Sequence, residues 1–175
     1  MGLECTLWQI TPEKLMEYRS SDEAVEDFID FCFPEMYDEQ VFKDKSKTKK
    51  YYEEDLCLGK MWHLLHYLLT GDENSEKYPL AYAIVVGYSI NDNWEDLTFI
   101  EPHEVKDTAD ALNDISEDEF HKRCVEGSFS EKEIYRCPGD LDDNEVSETL
   151  EYFVRLKEFF IDAANKGNAV LHLIS

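Results

Sequence analysis

The residues best placed to do chemistry are two histidines three apart, His63 and His66, the only two of the five that lie close together in the chain. On a helix this spacing puts both imidazoles on one side, where they can share a metal ion, divide acid and base roles, or hold a ligand. They belong to the run Leu58-Gly59-Lys60-Met61-Trp62-His63-Leu64-Leu65-His66-Tyr67-Leu68-Leu69-Thr70-Gly71. Read as one helix, it gathers Leu58, Met61, Trp62, Leu65, Leu68 and Leu69 on a broad apolar face. Gly59, His63, His66 and Thr70 fall on a narrow stripe beside that face, and with Trp62 they form the candidate ligand-binding set. A shared metal would need further ligands that no motif supplies. There is no H-E-x-x-H, and His103-Glu104-Val105-Lys106-Asp107 matches only its first half. No metal and no cofactor is therefore expected. Two readings stay open: hydrogen-bonded structural histidines at the edge of a core, or the floor of a pocket. In the second, His63 projects furthest from the apolar face and is the first choice for a general base or ligand contact.

Other signatures of catalysis are missing. The chain has no G-x-S-x-G elbow, no phosphate-binding G-x-x-x-x-G-K-[ST] loop, no G-x-G-x-x-G turn and no nucleophile motif around a cysteine, so the balance leans away from an enzyme. Lys157 falls inside the apolar stripe of the last long helix, where it either snorkels to the surface, the commoner outcome, or marks a buried ion pair. His172 alternates with Val170 and Ile174 and is expected to be a hydrogen-bonded histidine in the core or at a sheet edge. Trp8, Trp62 and Trp94 are expected to pack rather than to serve as stacking platforms.

Charge narrows the partners. Forty acidic residues against seventeen basic ones give a formal charge of −23, which repels phosphate backbones and anionic lipid surfaces. Nucleic-acid and membrane binding are not expected, and a basic protein is the partner such a field would steer. The five cysteines, Cys5, Cys32, Cys57, Cys124 and Cys137, are odd in number and contain no C-x-x-C pair. That pattern suits reduced thiols. The first residues lack the basic start and apolar core of an export signal, and no apolar run is long enough to span a membrane, so a cytoplasmic location is expected.

The elements that would position these residues follow from periodicity. Residues 3 to 10 alternate as a strand, Thr11-Pro12 opens a short helix, and Ser20 with Glu23 has the spacing of a capping box for a second helix that Pro34 ends. The stretch from Lys43 to Lys50 is lysine-rich and is expected to be a solvated connector. Gly71 stops the histidine helix. The apolar run Leu80 to Val86 predicts a central strand buried on both faces, and Asp96 to Ile100 predicts another strand. Pro102 opens a helix facing inward through Val105, Thr108, Ala109, Leu112 and Ile115, and Ser116 with Glu119 caps the next one, which ends near Cys124. After an irregular stretch from Gly127 to Asn144, the longest helix runs from Val146 to Lys166, buried through Val146, Leu150, Phe153, Val154, Phe160, Ile161 and Ala164. A strand from Ala169 to Ile174 closes the chain. With 175 residues, 43% of them hydrophobic, and no repeat or linker, the expectation is one α+β domain over 1–175, a mixed β-sheet packed against several amphipathic helices.

Several motifs in this order resemble a known family. They are Met1-Gly2, Thr11-Pro12, the run from Trp62 to Gly71, Pro79-Leu80, Glu104-Val105-Lys106 with Ala109 and Ala111-Leu112, Leu150 to Phe153 with Lys157 to Phe160, and Ala163 to Leu171. Together they are similar to the YfbM-like family of small bacterial domains of unknown function. The resemblance spans the chain and implies a single α+β domain of bacterial origin with no established reaction, so no catalytic residue is carried over. Where that family often has a Gly-Gly pair after the buried segment, this chain has Val86-Gly87. The leading expectation is a non-catalytic module that binds a basic protein, in one form an inhibitor or immunity-type protein that covers a cationic active site. The alternative is a small-molecule-binding protein or enzyme with its pocket at Gly59, His63, His66 and Thr70.

Overall fold

The first and last strands of the sequence are neighbours. In the computed structural model, which describes residues 2–32, 55–137 and 139–175, β1 (Cys5–Ile10) lies antiparallel to β5 (Ala169–Ile174), from Cys5 opposite Ile174 to Ile10 opposite Ala169. Outside this pair, β2 (Asp55–Gly59) flanks β1, while β4 (Leu97–Ile100) and then the two-residue β3 (Tyr88–Ser89) flank β5. Every pairing in the five-stranded sheet is antiparallel. The class is α+β, as the segment pattern indicates, but the sheet is not mixed. The helices pack on the two faces of this sheet through its apolar side chains.

Each face carries its own apolar cluster. Trp8, Ile10, Leu97, Phe99, Ala169, Leu171 and Leu173 point toward α1 (Pro12–Ser20) and α2 (Asp22–Cys32). Cys5, Leu7, Leu56, Leu58, Ile100 and Val170 point toward α3 (Trp62–Thr70), α4 (Pro102–Asn113), α5 (Glu117–Glu126) and α6 (Asp143–Lys166). The starts of α1, α4 and α5 follow the sequence signals, whereas α6 begins at Asp143, three residues before the expected Val146, because Asp142 caps it. Thr11 and Ser116 accept the backbone N–H three residues on, and Asp142 accepts from both Asn144 and Glu145. At α2 the cap is Ser21, whose hydroxyl accepts from Ala24, whereas Ser20 ends α1 and bonds back to Met16 and Glu17. Pro34 and the lysine-rich stretch lie outside the described residues.

The run Leu80 to Val86 is not a strand. Leu80–Ala83 forms a 3₁₀ turn, and the following backbone closes on it through bonds from Val85 and Val86 to the Ala81 carbonyl. A short apolar run cannot be told from a buried turn by periodicity. Here the small Ala81 and Ala83, both fully buried, let the turn pack against α3 and α4, and β5 takes the central place instead. On α6 the buried residues include Thr149, Leu156, Phe159 and Ala163, while Leu150, Val154, Ile161 and Ala164 are half-buried. The helix packs against α4, α5 and β2 together, so its inward arc is wider than one stripe. Lys157 reaches out of that arc and donates to the Ile115 carbonyl at 2.9 Å, with its ammonium 5.6 Å from the Phe153 ring, in keeping with a snorkelling lysine.

Candidate functional site

The histidine helix is shorter than its sequence pattern. Leu58 and Gly59 belong to β2, and Gly59 turns the chain with φ at +50°, a left-handed conformation that favours glycine. The Met61 N–H then bonds to the Leu58 carbonyl, and α3 begins at Trp62. Gly59 is therefore not part of a helical stripe. At the other end Gly71, again left-handed, donates to the Tyr67 carbonyl and stops the helix as the sequence indicates.

The remaining candidates separate. Trp62 and His63 line an open cleft of about 480 Å³ whose other walls are Glu73 to Glu76 and Val85 to Gly87. Thr70 lines a different hollow with Tyr67, Arg123, Glu126 and Gly127. Its hydroxyl bonds back to the His66 carbonyl at 2.8 Å and lies equally close to that of Asp72. His66 is fully buried, and neither of its ring nitrogens has a hydrogen-bond partner among the described residues. Burial, and secondly the nearby His63, push its pKa down to about 4, while the Asp72 carboxylate pulls the other way.

His63 has both nitrogens occupied. Nδ1 accepts the Tyr135 N–H at 2.9 Å, which leaves the proton on Nε2 to be donated to the Glu73 carbonyl, also at 2.9 Å. Its ring stacks on Trp62 at 4.7 Å, and Trp62 stacks on Tyr135 at 6.1 Å. The imidazole thus joins the start of α3 to the loops at 73 and 135. It stands at a cleft, but with no lone pair free for a substrate proton. The Trp62 indole N–H is buried and has no partner among the described residues.

Other reactive groups are quiet. Burial raises the thiols of Cys5, Cys32 and Cys124, the second to about 12 and the third to about 11, the reverse of what a nucleophile needs. All five cysteines are free. Among the described residues no three His, Cys, Asp or Glu side chains are grouped to hold a metal, and no helix is long and apolar enough to cross a membrane. His172 corrects the sequence reading. It is buried in the central strand with neither nitrogen partnered among the described residues, flanked by Leu7 on β1 and Thr98 on β4.

A second group of side chains went unremarked in the sequence. Tyr78, Tyr82 and Tyr88 converge in front of α4. The Tyr78 hydroxyl donates to Asp107 at 2.5 Å, Tyr88 donates to Glu104 at 2.9 Å, and the Tyr78 and Tyr82 rings meet edge to face at 5.0 Å. Glu104 is buried, and its other oxygen accepts the Glu101 N–H. The available signal was three tyrosines within eleven residues, spaced by even numbers that put them on one side of an extended chain.

Fold and site together define a single α+β domain with an antiparallel sheet, helices on both faces and no assembled catalytic constellation among the described residues. The chain belongs to the family described as a domain of unknown function (DUF1877), whose model matches residues 1–173. Its fold is similar to the crystal structure of YfbM, a protein of unknown function from Escherichia coli, with 20% identity, a TM-score of 0.66, and coverage of 98% of this chain and 99% of that one. No functionally curated protein matches the chain.

Proposed function

We propose that this protein works by binding a basic protein partner rather than by catalysis, in the manner of an inhibitor or immunity-type module that covers a cationic surface. The observation that carries this reading is the state of His63: the imidazole beside the open cleft has its donor and its acceptor both bound internally. What remains outward is charge, a formal −23 that attracts cationic surfaces and falls away with salt. The test is capture from a lysate of the source organism on the immobilised protein, followed by affinity measurement with the purified partner. A basic protein held at 50 mM salt and weakened at least tenfold at 300 mM is the expected result. Recovery of no basic, salt-sensitive partner overturns the reading.

The cleft beside Trp62 favours one second reading, a small-molecule site, because about 480 Å³ is within the usual range for ligand pockets. A ligand there would meet Trp62, Glu73, Glu76, Val85 and Val86. A metabolite screen by thermal shift decides it: a hit whose effect disappears in Trp62→Leu supports the site, and no hit removes it.

A further inference from the structure

The surface around the three tyrosines suggests where such a partner would be gripped. Tyr78 and Tyr88 are 43% and 49% exposed, and with Val85 they make up half of the six large apolar or aromatic side chains exposed among the described residues. Isolated exposed aromatics need no explanation, but several on one short segment mark an interaction surface. These rings stand beside two carboxylates, Glu104 and Asp107, both held in place by tyrosine hydroxyls. Among the described residues no lysine, arginine or histidine lies within ion-pair distance of either carboxylate, and no cation sits over any of the three rings.

The protein fills a seat of the same chemistry immediately beside this one. The Arg19 guanidinium lies 5.1 Å from the Phe99 ring centre while its Nη1 is 3.4 Å from Glu101. Phe99 is in turn 5.7 Å from Tyr88, and Glu101 is joined to Glu104 through its N–H. One aromatic-plus-carboxylate seat is thus occupied by the chain's own arginine, and the next, built from Tyr78, Tyr82, Tyr88, Glu104 and Asp107, holds no cation in ion-pair contact among the described residues; Lys106, next to Asp107 in the chain, pairs with Asp110 instead and reaches Asp107 only through its longer-range field. A ring face and a carboxylate together suit arginine, whose planar guanidinium can stack and donate at the same time.

We infer that the tyrosine ledge of Tyr78, Tyr82 and Tyr88 with Glu104 and Asp107 is a docking seat for an arginine side chain of a basic protein segment. The inference rests on the proposed binding function and deepens it by naming the contact surface. Hydrogen bonding to Glu104 raises the Tyr88 phenol to about 12, and desolvation with the Asp107 bond raises that of Tyr78, so both hydroxyls stay protonated and keep the carboxylates aimed.

The probe is an acetylated, amidated peptide of four Gly-Arg repeats, titrated into the isotope-labelled full chain at 50 mM salt and followed by NMR. Chemical-shift changes centred on residues 78–88 and 101–108 are expected. Affinity should fall at least tenfold in the Tyr78→Ala/Tyr88→Ala variant and at least threefold in Asp107→Asn, which leaves all the rings in place. The control, Asp27→Asn/Asp30→Asn on exposed positions of α2 outside the seat, removes two charges and should change affinity by less than twofold. If the shifts spread evenly over the acidic faces, or if the α2 control weakens binding as much as Asp107→Asn, the seat is refuted while the proposed function stands. If the peptide binds nowhere, both fall.

Discussion

Replacing His172 with leucine should make the protein more stable in mild acid. The imidazole is 1% exposed, in the middle strand, with neither nitrogen hydrogen-bonded among the described residues, and burial alone pushes its pKa down from 6.5 to about 3. The folded state therefore keeps the ring neutral where the unfolded chain protonates it. A depressed histidine leaves stability intact above the unfolded value near 6.5 and erodes it as pH falls toward the folded one. At pH 5 the unfolded chain binds about one more proton at this residue than the folded chain, which costs about 2 kcal/mol relative to pH 7. Below pH 3 the loss saturates at about 5 kcal/mol. Leucine cannot take up that proton, and it also removes two unpartnered polar atoms from the core. The assay is urea unfolding of parent and His172→Leu at pH 7 and pH 5, where most carboxylates remain ionised in both proteins. The parent should lose about 2 kcal/mol more than the variant over that interval. Equal losses would refute the argument, because they would mean that the ring reaches a proton acceptor or water in the folded state.

Three further outcomes follow from the geometry. His63 should appear by nitrogen NMR as the neutral tautomer with its proton on Nε2, since Nδ1 faces the Tyr135 N–H; the opposite tautomer would break the assignment of its partners. Gly87→Ala should cost about 1–3 kcal/mol in a denaturant melt, because a β-carbon there would lie 2.9 Å from the Phe99 carbonyl oxygen and 3.1 Å from Thr98, both part of the sheet; an unchanged midpoint would show that β3 moves freely away. Asp142→Ala removes two N-terminal hydrogen bonds of 2.9 Å from α6 and should cost about 1 kcal/mol, with Asp142→Ser recovering most of it.

The sequence was most legible where local rules decide the structure. Thr11, Ser116, Gly71 and Gly167 mark helix boundaries because their caps use atoms within a few residues, and the structure places them as the spacing implies. It was least legible where a residue's role depends on what arrives from far along the chain. His63 is fixed by Tyr135, 72 residues away, and no helical wheel contains that contact. Leu58 and Gly59 fit a helix by periodicity, yet they belong to β2, whose Gly59 lies opposite Cys5 of β1. The tyrosine ledge was hidden for a related reason. Tyr78, Tyr82 and Tyr88 would share one face of an extended strand as well, but the carboxylates that hold two of them, Asp107 and Glu104, lie 29 and 16 residues further along the chain on α4.

Charge alone cannot select a partner, and this bears on where specificity must lie. The ion pairs of the described residues are mostly exposed, several of them between neighbours three or four apart on one helix, and pairs of that kind contribute little to stability. The net field they leave acts over a Debye length of about 8 Å at physiological salt, raising encounter rates with any cationic surface. Selection among such surfaces requires short-range contacts that one partner satisfies and others do not. Of the carboxylates described, Glu104 and Asp107 are distinguished by being oriented by tyrosines and flanked by exposed rings. A flexible lysine supplies charge to such a seat, whereas arginine supplies charge together with a flat face for the rings. Substituting lysine for every arginine in the Gly-Arg probe keeps the field unchanged and removes the stacking. If short-range fit decides, affinity should drop at least threefold; equal affinity would show that the long-range field does all of the binding.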